Sequence, residues 1–139
     1  MSKKKQEQLM TDSKQWLKRH GFDGHKYMAV PKNAVGKDTL ALAQKHHDLT
    51  LSFGGSPNAL PATTKDAVLS RIYANDVRQV KQMVDFAADY KQLTVPLFQQ
   101  IGGKNGLPEQ DFETMLKYIK KKDVDVVTPS DLEEQGLLR

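Results

Sequence analysis

The sequence contains no cysteine, and this absence removes several kinds of chemistry at once. Disulfide bridges, thiolate nucleophiles and cysteine-bound zinc sites all need a thiol, so this chain can build none of them. The absence also fits a reducing compartment. The first eight residues are polar and do not lead into the apolar region of a signal peptide, and we therefore expect a cytoplasmic location.

Long apolar runs and aromatic residues are also scarce. No stretch approaches the roughly 20 apolar residues that a membrane span requires, so we expect no membrane partner. Aromatic residues make up 7 % of the chain and there are only four arginines. Both shortages count against nucleic-acid binding, because arginine reads guanine edges and phosphates and aromatic rings stack on the bases of single strands.

Positive charge is concentrated in the first half of the chain. The net charge is +4, but residues 1–63 hold ten Lys and Arg against five Asp and Glu, whereas residues 64–139 hold eleven against twelve. The four histidines, His20, His25, His46 and His47, also lie in the first half. We therefore expect an anionic partner to contact this half.

The first half predicts two helices and two strands. A helix runs from Lys4 to His20, or begins only at the Thr11-Asp12-Ser13 cap, and Gly21 ends it in the left-handed conformation. Residues 39–45 predict a short helix. Residues 25–30 and 49–53 predict strands, the first because Pro31 stops it and the second because polar and apolar residues alternate.

The second half predicts mostly helix. Residues 64–91 form one helix or two, because both Thr64 and Asp76 are suitable caps and nothing between them forbids continuation. A short helix follows Pro96 over residues 97–101, and Pro108 opens another that ends at the lysines 120–122. Residues 124–127 predict a third strand, and Ser130 caps a final helical turn.

The predicted fold class is mainly α, a compact bundle of four to five helices with up to three short strands, and α+β is the open alternative. We predict one domain over residues 1–139, with a Lys-rich N-terminal tail or frayed helix start (1–8), a basic, His-containing N-terminal half (9–63) and a helical core (64–139). Trp16 packs the first helix onto that core. The predicted core residues are Leu69, Ile72, Val80, Val84, Phe98, Phe112, Leu116 and Ile119.

The basic half supplies one set of candidate binding residues. Ammonium and guanidinium groups neutralise phosphates and release counterions, so a cluster of them suits an anion or a nucleic acid. Lysine-rich segments also serve simply as solvated surface, which is the alternative. The candidates are Lys3, Lys4, Lys5, Lys14, Lys18, Arg19, Lys26, Lys32 and Lys37.

A glycine-containing loop supplies the second set. Gly54, Gly55, Ser56 and Asn58 follow a predicted strand, and their backbone N–H groups can approach an anion. Neither the P-loop pattern nor G-x-G-x-x-G is present, so a plain turn is the alternative.

The histidines give no metal prediction. Adjacent side chains such as those of His46 and His47 point about 100° apart on a helix, and no H-E-x-x-H spacing occurs. We predict no metal site and no cofactor. No catalytic residue is predicted either, and an enzyme is the less favoured class because no nucleophile has a base placed beside it.

These observations favour a small, non-catalytic binding or regulatory protein that contacts a protein partner, or a second copy of itself, through its surface. One alternative is a non-specific nucleic-acid-binding accessory protein that uses the basic N-terminal half. The other is a small enzyme or anion-binding domain that uses His25, His46 or His47 with the Gly54-Gly55 loop.

Overall fold

The computed structural model describes residues 1–62 and 68–138. Helices account for 49 % of the chain and strands for 17 %, and the strands form a four-stranded, all-parallel sheet. The protein is therefore α/β. The prediction of a mainly α bundle, and with it the description of the chain as all-helical, is wrong.

Five helices and four strands follow one another along the described residues, and they alternate except that β3 follows β2 and α5 follows α4. The helices are α1 (Lys3–Arg19), α2 (Thr39–His46), α3 (Val77–Tyr90), α4 (Glu109–Lys122) and α5 (Pro129–Glu134). The strands are β1 (Tyr27–Ala29), β2 (Leu49–Phe53), β3 (Val68–Tyr73) and β4 (Pro96–Leu97). Two short 3₁₀ turns, Asp23–Lys26 and Pro31–Asn33, flank β1.

The sheet has the strand order β1-β2-β3-β4. Tyr27 of β1 lies opposite Leu49 of β2, and Ile72 of β3 lies opposite Pro96 of β4, with both pairs parallel. Parallel neighbours need a crossover connection, usually a helix. Helix α2 supplies it between β1 and β2, and α3 supplies it between β3 and β4.

The main error in the sequence prediction concerns β3. Its apolar residues fit helical spacing as well as an extended chain, and we predicted a helix over them. In the structure the backbone is a strand, and α3 begins only after Asp76, whose side chain accepts a hydrogen bond from the Gln79 N–H. Residues 68–91 are thus a strand followed by one helix. The predicted cap at Thr64 lies outside the described residues.

Smaller differences concern single turns. The predicted helix over residues 97–101 is wrong, because Pro96 and Leu97 form the edge strand β4, where a proline is tolerated. Residues 124–127 are irregular and not a strand. Helix α5 is capped by Thr128, whose side chain exchanges hydrogen bonds with Asp131, and not by Ser130. The strand over residues 49–53 and the helix over residues 39–45 are confirmed.

The chain divides into two compact units, each with buried apolar residues of its own. Unit 1 comprises Met1–Ser52, Pro61–Leu69 and Thr128–Arg139, and unit 2 comprises Phe53–Leu60 and Ser70–Val127. Buried apolar side chains of unit 1 are Met10, Val30, Leu42, Ala43, Leu49, Leu69 and Leu132. In unit 2 a buried cluster of Ala74, Val80, Met83 and Met115 is covered by Ile72, Phe98, Phe112 and Ile119.

Two predicted core residues lie at the surface. Leu116 is 48 % exposed and Trp16 is 51 % exposed. On α4, Phe112, Met115 and Ile119 form the packed face, and Leu116 lies beside it.

A buried asparagine side chain supports β3 within unit 2. The Asn58 carboxamide accepts a hydrogen bond from the Ser70 N–H at 2.6 Å and donates one to the Ser70 carbonyl at 2.9 Å. It therefore pairs with β3 as a neighbouring strand's backbone would. The Asn58 backbone exchanges a further pair of hydrogen bonds with Leu93.

Replacing Asn58 with alanine should destabilise the protein. The Ser70 N–H and carbonyl would lose their partner in a partly buried setting, and the loss for a buried group costs about 1–3 kcal/mol. Urea unfolding of Asn58→Ala should show this loss, whereas Asn105→Ala, in an exposed turn of the same unit, should change the unfolding free energy little. Equal stabilities for the two variants would contradict this role of Asn58.

Candidate functional site

Helix α1 has one face against the rest of unit 1. Met10 is buried, Glu7, Lys14 and Leu17 are half-buried, and the helix packs against α2. These positions follow one another at helical spacings of three and four, so they share one side of the helix. We call this the inner face.

The contact with α2 is electrostatic as well as apolar. One Glu7 carboxylate oxygen lies 2.7 Å from the Lys45 ammonium and 2.8 Å from Nε2 of His46. Hydrogen bonds from these two groups lower the pKa of Glu7 from 4.5 to about 2. The Lys14 ammonium donates to the His46 carbonyl oxygen at the end of α2, where a cation complements the helix dipole.

The opposite side of α1 is exposed along its length. Lys5, Leu9, Asp12, Trp16 and Arg19 follow at spacings of four, three, four and three, and all five are exposed. We call these five residues the outer face. Helix α1 carries six cationic and two acidic side chains, a formal charge of +4, which equals the net charge of the whole chain.

Three aromatic rings gather where the outer face ends. The His20 imidazole stacks on the Trp16 indole with a centroid distance of 4.0 Å and an angle of 22° between planes. The Phe22 ring lies 6.3 Å from the indole and is nearly parallel to it, at 13°. Trp16 is 51 % exposed and Phe22 53 %. We call Trp16, His20 and Phe22 the aromatic ledge.

Gly21 explains why the ledge forms. Its φ of +75° is the left-handed conformation that favours glycine, and it ends α1 as the sequence predicted. The turn lets the Phe22 N–H donate to the Leu17 carbonyl, which brings the Phe22 ring back beside the last turn of the helix. The His20 ring is fixed by a 2.7 Å contact between its Nδ1 and the Trp16 carbonyl oxygen.

The predicted cations fall into two groups. Lys3 pairs with Asp38 at 3.7 Å, Lys26 with Glu133 at 3.4 Å, and Lys14 is held by His46. The Glu133 carboxylate raises the pKa of Lys26. The remaining six are exposed and form no ion pair with the residues that the structure describes: Lys4, Lys5, Lys18, Arg19, Lys32 and Lys37.

The histidines each have a different partner. His20 contacts Trp16, the Nδ1 of His25 lies 2.8 Å from the Phe22 carbonyl oxygen, and His46 contacts Glu7. His47 is buried, which lowers its pKa, and its Nδ1 lies 3.1 Å from the Ala43 carbonyl oxygen. Over residues 1–62 and 68–138, no three His, Asp or Glu side chains are grouped to hold a metal ion.

The glycine loop lies in unit 2 and packs closely against β3. A Cβ atom on Gly54 would lie 2.5 Å from Oγ of Ser70, so a larger residue there would force the Ser70 side chain to move. The Gly55 N–H donates to the Arg71 carbonyl and the Ser56 N–H to Oγ of Ser70. These two donors are engaged within the protein, and Asn58 is used by β3. Anion binding by Gly54, Gly55, Ser56 and Asn58 stays a prediction.

The aromatic ledge is the feature that the sequence interpretation missed. We placed Trp16 in the core because a large apolar residue is usually buried. Its position already held a signal, since Trp16 shares a helix face with the charged residues Lys5, Asp12 and Arg19.

Of the described residues, no helix has the length and apolar character to cross a membrane.

The contact between Glu7 and α2 gives a pH dependence that can be measured. A lowered carboxylate pKa contributes stability that is present above 4.5 and is lost as the pH falls from 4.5 to about 2. Glu7→Gln should therefore melt at a lower temperature than the native chain at pH 7, and the difference should shrink below pH 4.5.

The matched control is Asp12→Asn on the same helix, because Asp12 accepts a hydrogen bond only from Gln8 among the described residues. Melting curves between pH 2 and pH 7 should show a much smaller difference for this variant. A Glu7→Gln difference that stays constant down to pH 2 would mean that the carboxylate charge does not hold α1 to α2.

Comparison of the chain with family models, with curated proteins and with solved structures found no match in any of the three. What the chain binds is therefore inferred from its own side chains.

Proposed function

We propose that this protein binds single-stranded nucleic acid through the outer face of α1 and the aromatic ledge. The observation that carries the proposal is the half-exposed Trp16, which has two near-parallel ring neighbours at the end of the most cationic helix. A fixed aromatic ring at the surface offers a base a stacking partner at little entropic cost, since the ring is already ordered.

The cations around the ledge fit the phosphates of the same ligand. Arg19 lies on the outer face three residues after Trp16, and Lys18 is exposed in the same last turn of α1 but on a different side of the helix. At the start of the helix Lys5 lies on the outer face, and Lys4 is exposed about 100° away from it around the helix axis. Each cation that meets a phosphate releases a counterion, which supplies affinity without sequence preference.

The ledge favours a single strand over a duplex. Bases in a duplex already stack on one another, and a side chain must unstack them to make the same contact. In single strands the base faces are open, and stacking tolerates any sequence. The small number of aromatic residues in the chain does not prevent stacking on bases, because two of them lie together with a histidine at one place.

A protein partner is the second candidate for the same surface, and it was the one that the sequence favoured. Leu9, 48 % exposed, lies in line with Trp16 on the outer face. Tryptophan is common among the residues that dominate protein interfaces. An acidic protein or a second copy of the chain is thus the competing ligand.

The proposal includes a cytoplasmic location, which the absence of cysteine supports. An enzyme that uses His25, His46 or His47 stays a less favoured proposal, because each of these imidazoles contacts a different group.

Removing the indole should weaken binding to single strands. Loss of one stacked base corresponds to about 1–3 kcal/mol, so Trp16→Ala should lower the affinity about tenfold or more, while Trp16→Phe should keep most of it. Fluorescence anisotropy with oligothymidylate and oligouridylate of about 12 nucleotides is the measurement, a length within the usual site sizes.

The matched control is Tyr90→Ala, because Tyr90 is a 65 % exposed ring in unit 2 that packs on Phe86 as Trp16 packs on His20. Its affinity should equal that of the native chain. Equal affinity of Trp16→Ala would exclude the ledge as the binding surface. No binding of either oligonucleotide at low salt would exclude nucleic acid and leave the protein partner.

The cations of the outer face should contribute to the salt dependence of the affinity for single strands. For single strands, each phosphate contact contributes about 0.7 to the slope of log affinity against log salt concentration, so Lys5→Gln with Arg19→Gln should lower the slope by about 1.4. The control pair is Lys104→Gln with Lys120→Gln, both exposed in unit 2. If both double variants lowered the slope by the same amount, binding would depend on net charge alone and not on the outer face.

A further inference from the structure

Unit 2 contains a cavity that the proposed function does not use. Its volume is about 290 Å³, close to the lower limit of about 300 Å³ for small-molecule sites. It lies at the carboxyl end of β3, where Ile72 and Tyr73 are the last residues of the strand. Barrel-like sheets of consecutive parallel strands bind their ligands at the carboxyl ends of the strands, so both the shape and the position of the cavity suit a binding site.

One face of α3 forms a wall of the cavity. Gln79, Gln82, Met83 and Phe86 follow at spacings of three, one and three, and all four line it. The Tyr73 ring lies against the Phe53 ring with a centroid distance of 5.1 Å, and the Phe86 ring against that of Tyr90 at 4.5 Å. Two supported aromatic rings and a thioether thus face the same space, which suits a flat ring.

The uncharged lining limits the kind of ligand that can bind. Among the described residues, Pro57 and Thr94 complete the lining, and it includes no Asp, Glu, Lys, Arg or His. The cavity opens to solvent, but a charged ligand would still lose part of its hydration here without meeting an opposite charge, which carries a cost. A neutral ligand avoids that cost.

The polar groups of the lining are amides and a hydroxyl. Gln79 accepts a hydrogen bond from the Asn75 N–H through Oε1, which leaves its NH₂ group as a donor. Gln82 is exposed and offers both a carbonyl oxygen and an NH₂ group. The Thr94 hydroxyl donates to the Met83 carbonyl and can still accept. Two carboxamides side by side complement a ligand that carries both a carbonyl oxygen and an N–H.

We propose that this cavity binds a small, uncharged, planar heterocycle with amide-like donor and acceptor groups, of the kind represented by a nucleobase or a nicotinamide ring. The Tyr73 and Phe86 side chains supply the apolar contact, and the amides of Gln79 and Gln82 fix the orientation of the ring.

The experiment uses uracil, adenine and nicotinamide as neutral probes, with benzoate and benzylamine as charged rings of similar size. Titration into the isotope-labelled full chain is followed by the amide and aromatic NMR resonances of unit 2. The neutral probes should shift the side-chain amide signals of Gln79 and Gln82 in a saturable manner. The charged rings should shift them less at the same concentration.

Two variants make the test specific. Gln82→Ala removes one carboxamide from an exposed position, and since a neutral hydrogen bond contributes about 0.5–1.5 kcal/mol, the affinity for uracil should fall about fivefold. Gln99→Ala, an exposed glutamine of the same unit outside the lining, should bind as the native chain does. The amide spectrum of each variant shows whether it is folded.

Three results would overturn the proposal. They are the absence of saturable shifts with every neutral probe, equal binding of charged and neutral rings, and equal affinity of Gln82→Ala and the native chain for uracil. None of them bears on the aromatic ledge, so this site and the proposed function can fail independently.

Discussion

The burial of one side of α1 against α2 decides what the protein can present to a ligand. A helix that packs on one neighbour keeps its opposite side in solvent. Met10 is buried on the inner face, and Glu7 fixes the orientation of that face through Lys45 and His46. Trp16 must therefore point outward. The exposure of this indole follows from the packing of the helix as a whole.

Local signals in the sequence were sufficient to predict several helices and helix ends, but they did not predict the strand β3. Asp76 and Gly21 mark helix ends by their own chemistry, a side-chain acceptor and a permitted positive φ, and both predictions are confirmed. The strand β3 has no such local mark. Its identity depends on partners distant in sequence, Asn58 and the parallel strand β4, and a short apolar run fits either conformation until those partners are known.

The candidate site was only half visible in the sequence. Charge is a property of residue type, so the basic N-terminal half and its lysines could be read directly. Which cations are used internally could not, because the pairing of Lys3 with Asp38 and of Lys26 with Glu133 depends on tertiary structure. Predicting the aromatic ledge would also have required the left-handed turn at Gly21, because this turn brings the Phe22 ring beside the indole.

The outer face also carries Asp12, and its position has a consequence for ligand length. Lys5 and Arg19 are separated by about 21 Å along the helix axis at 1.5 Å per residue, and Asp12 lies at the midpoint of that path. A polyanion that reaches both ends must pass a carboxylate that repels it. Short fragments seated on the aromatic end would consequently retain most of the affinity of long ones, and extending a strand beyond that end would strengthen binding only modestly.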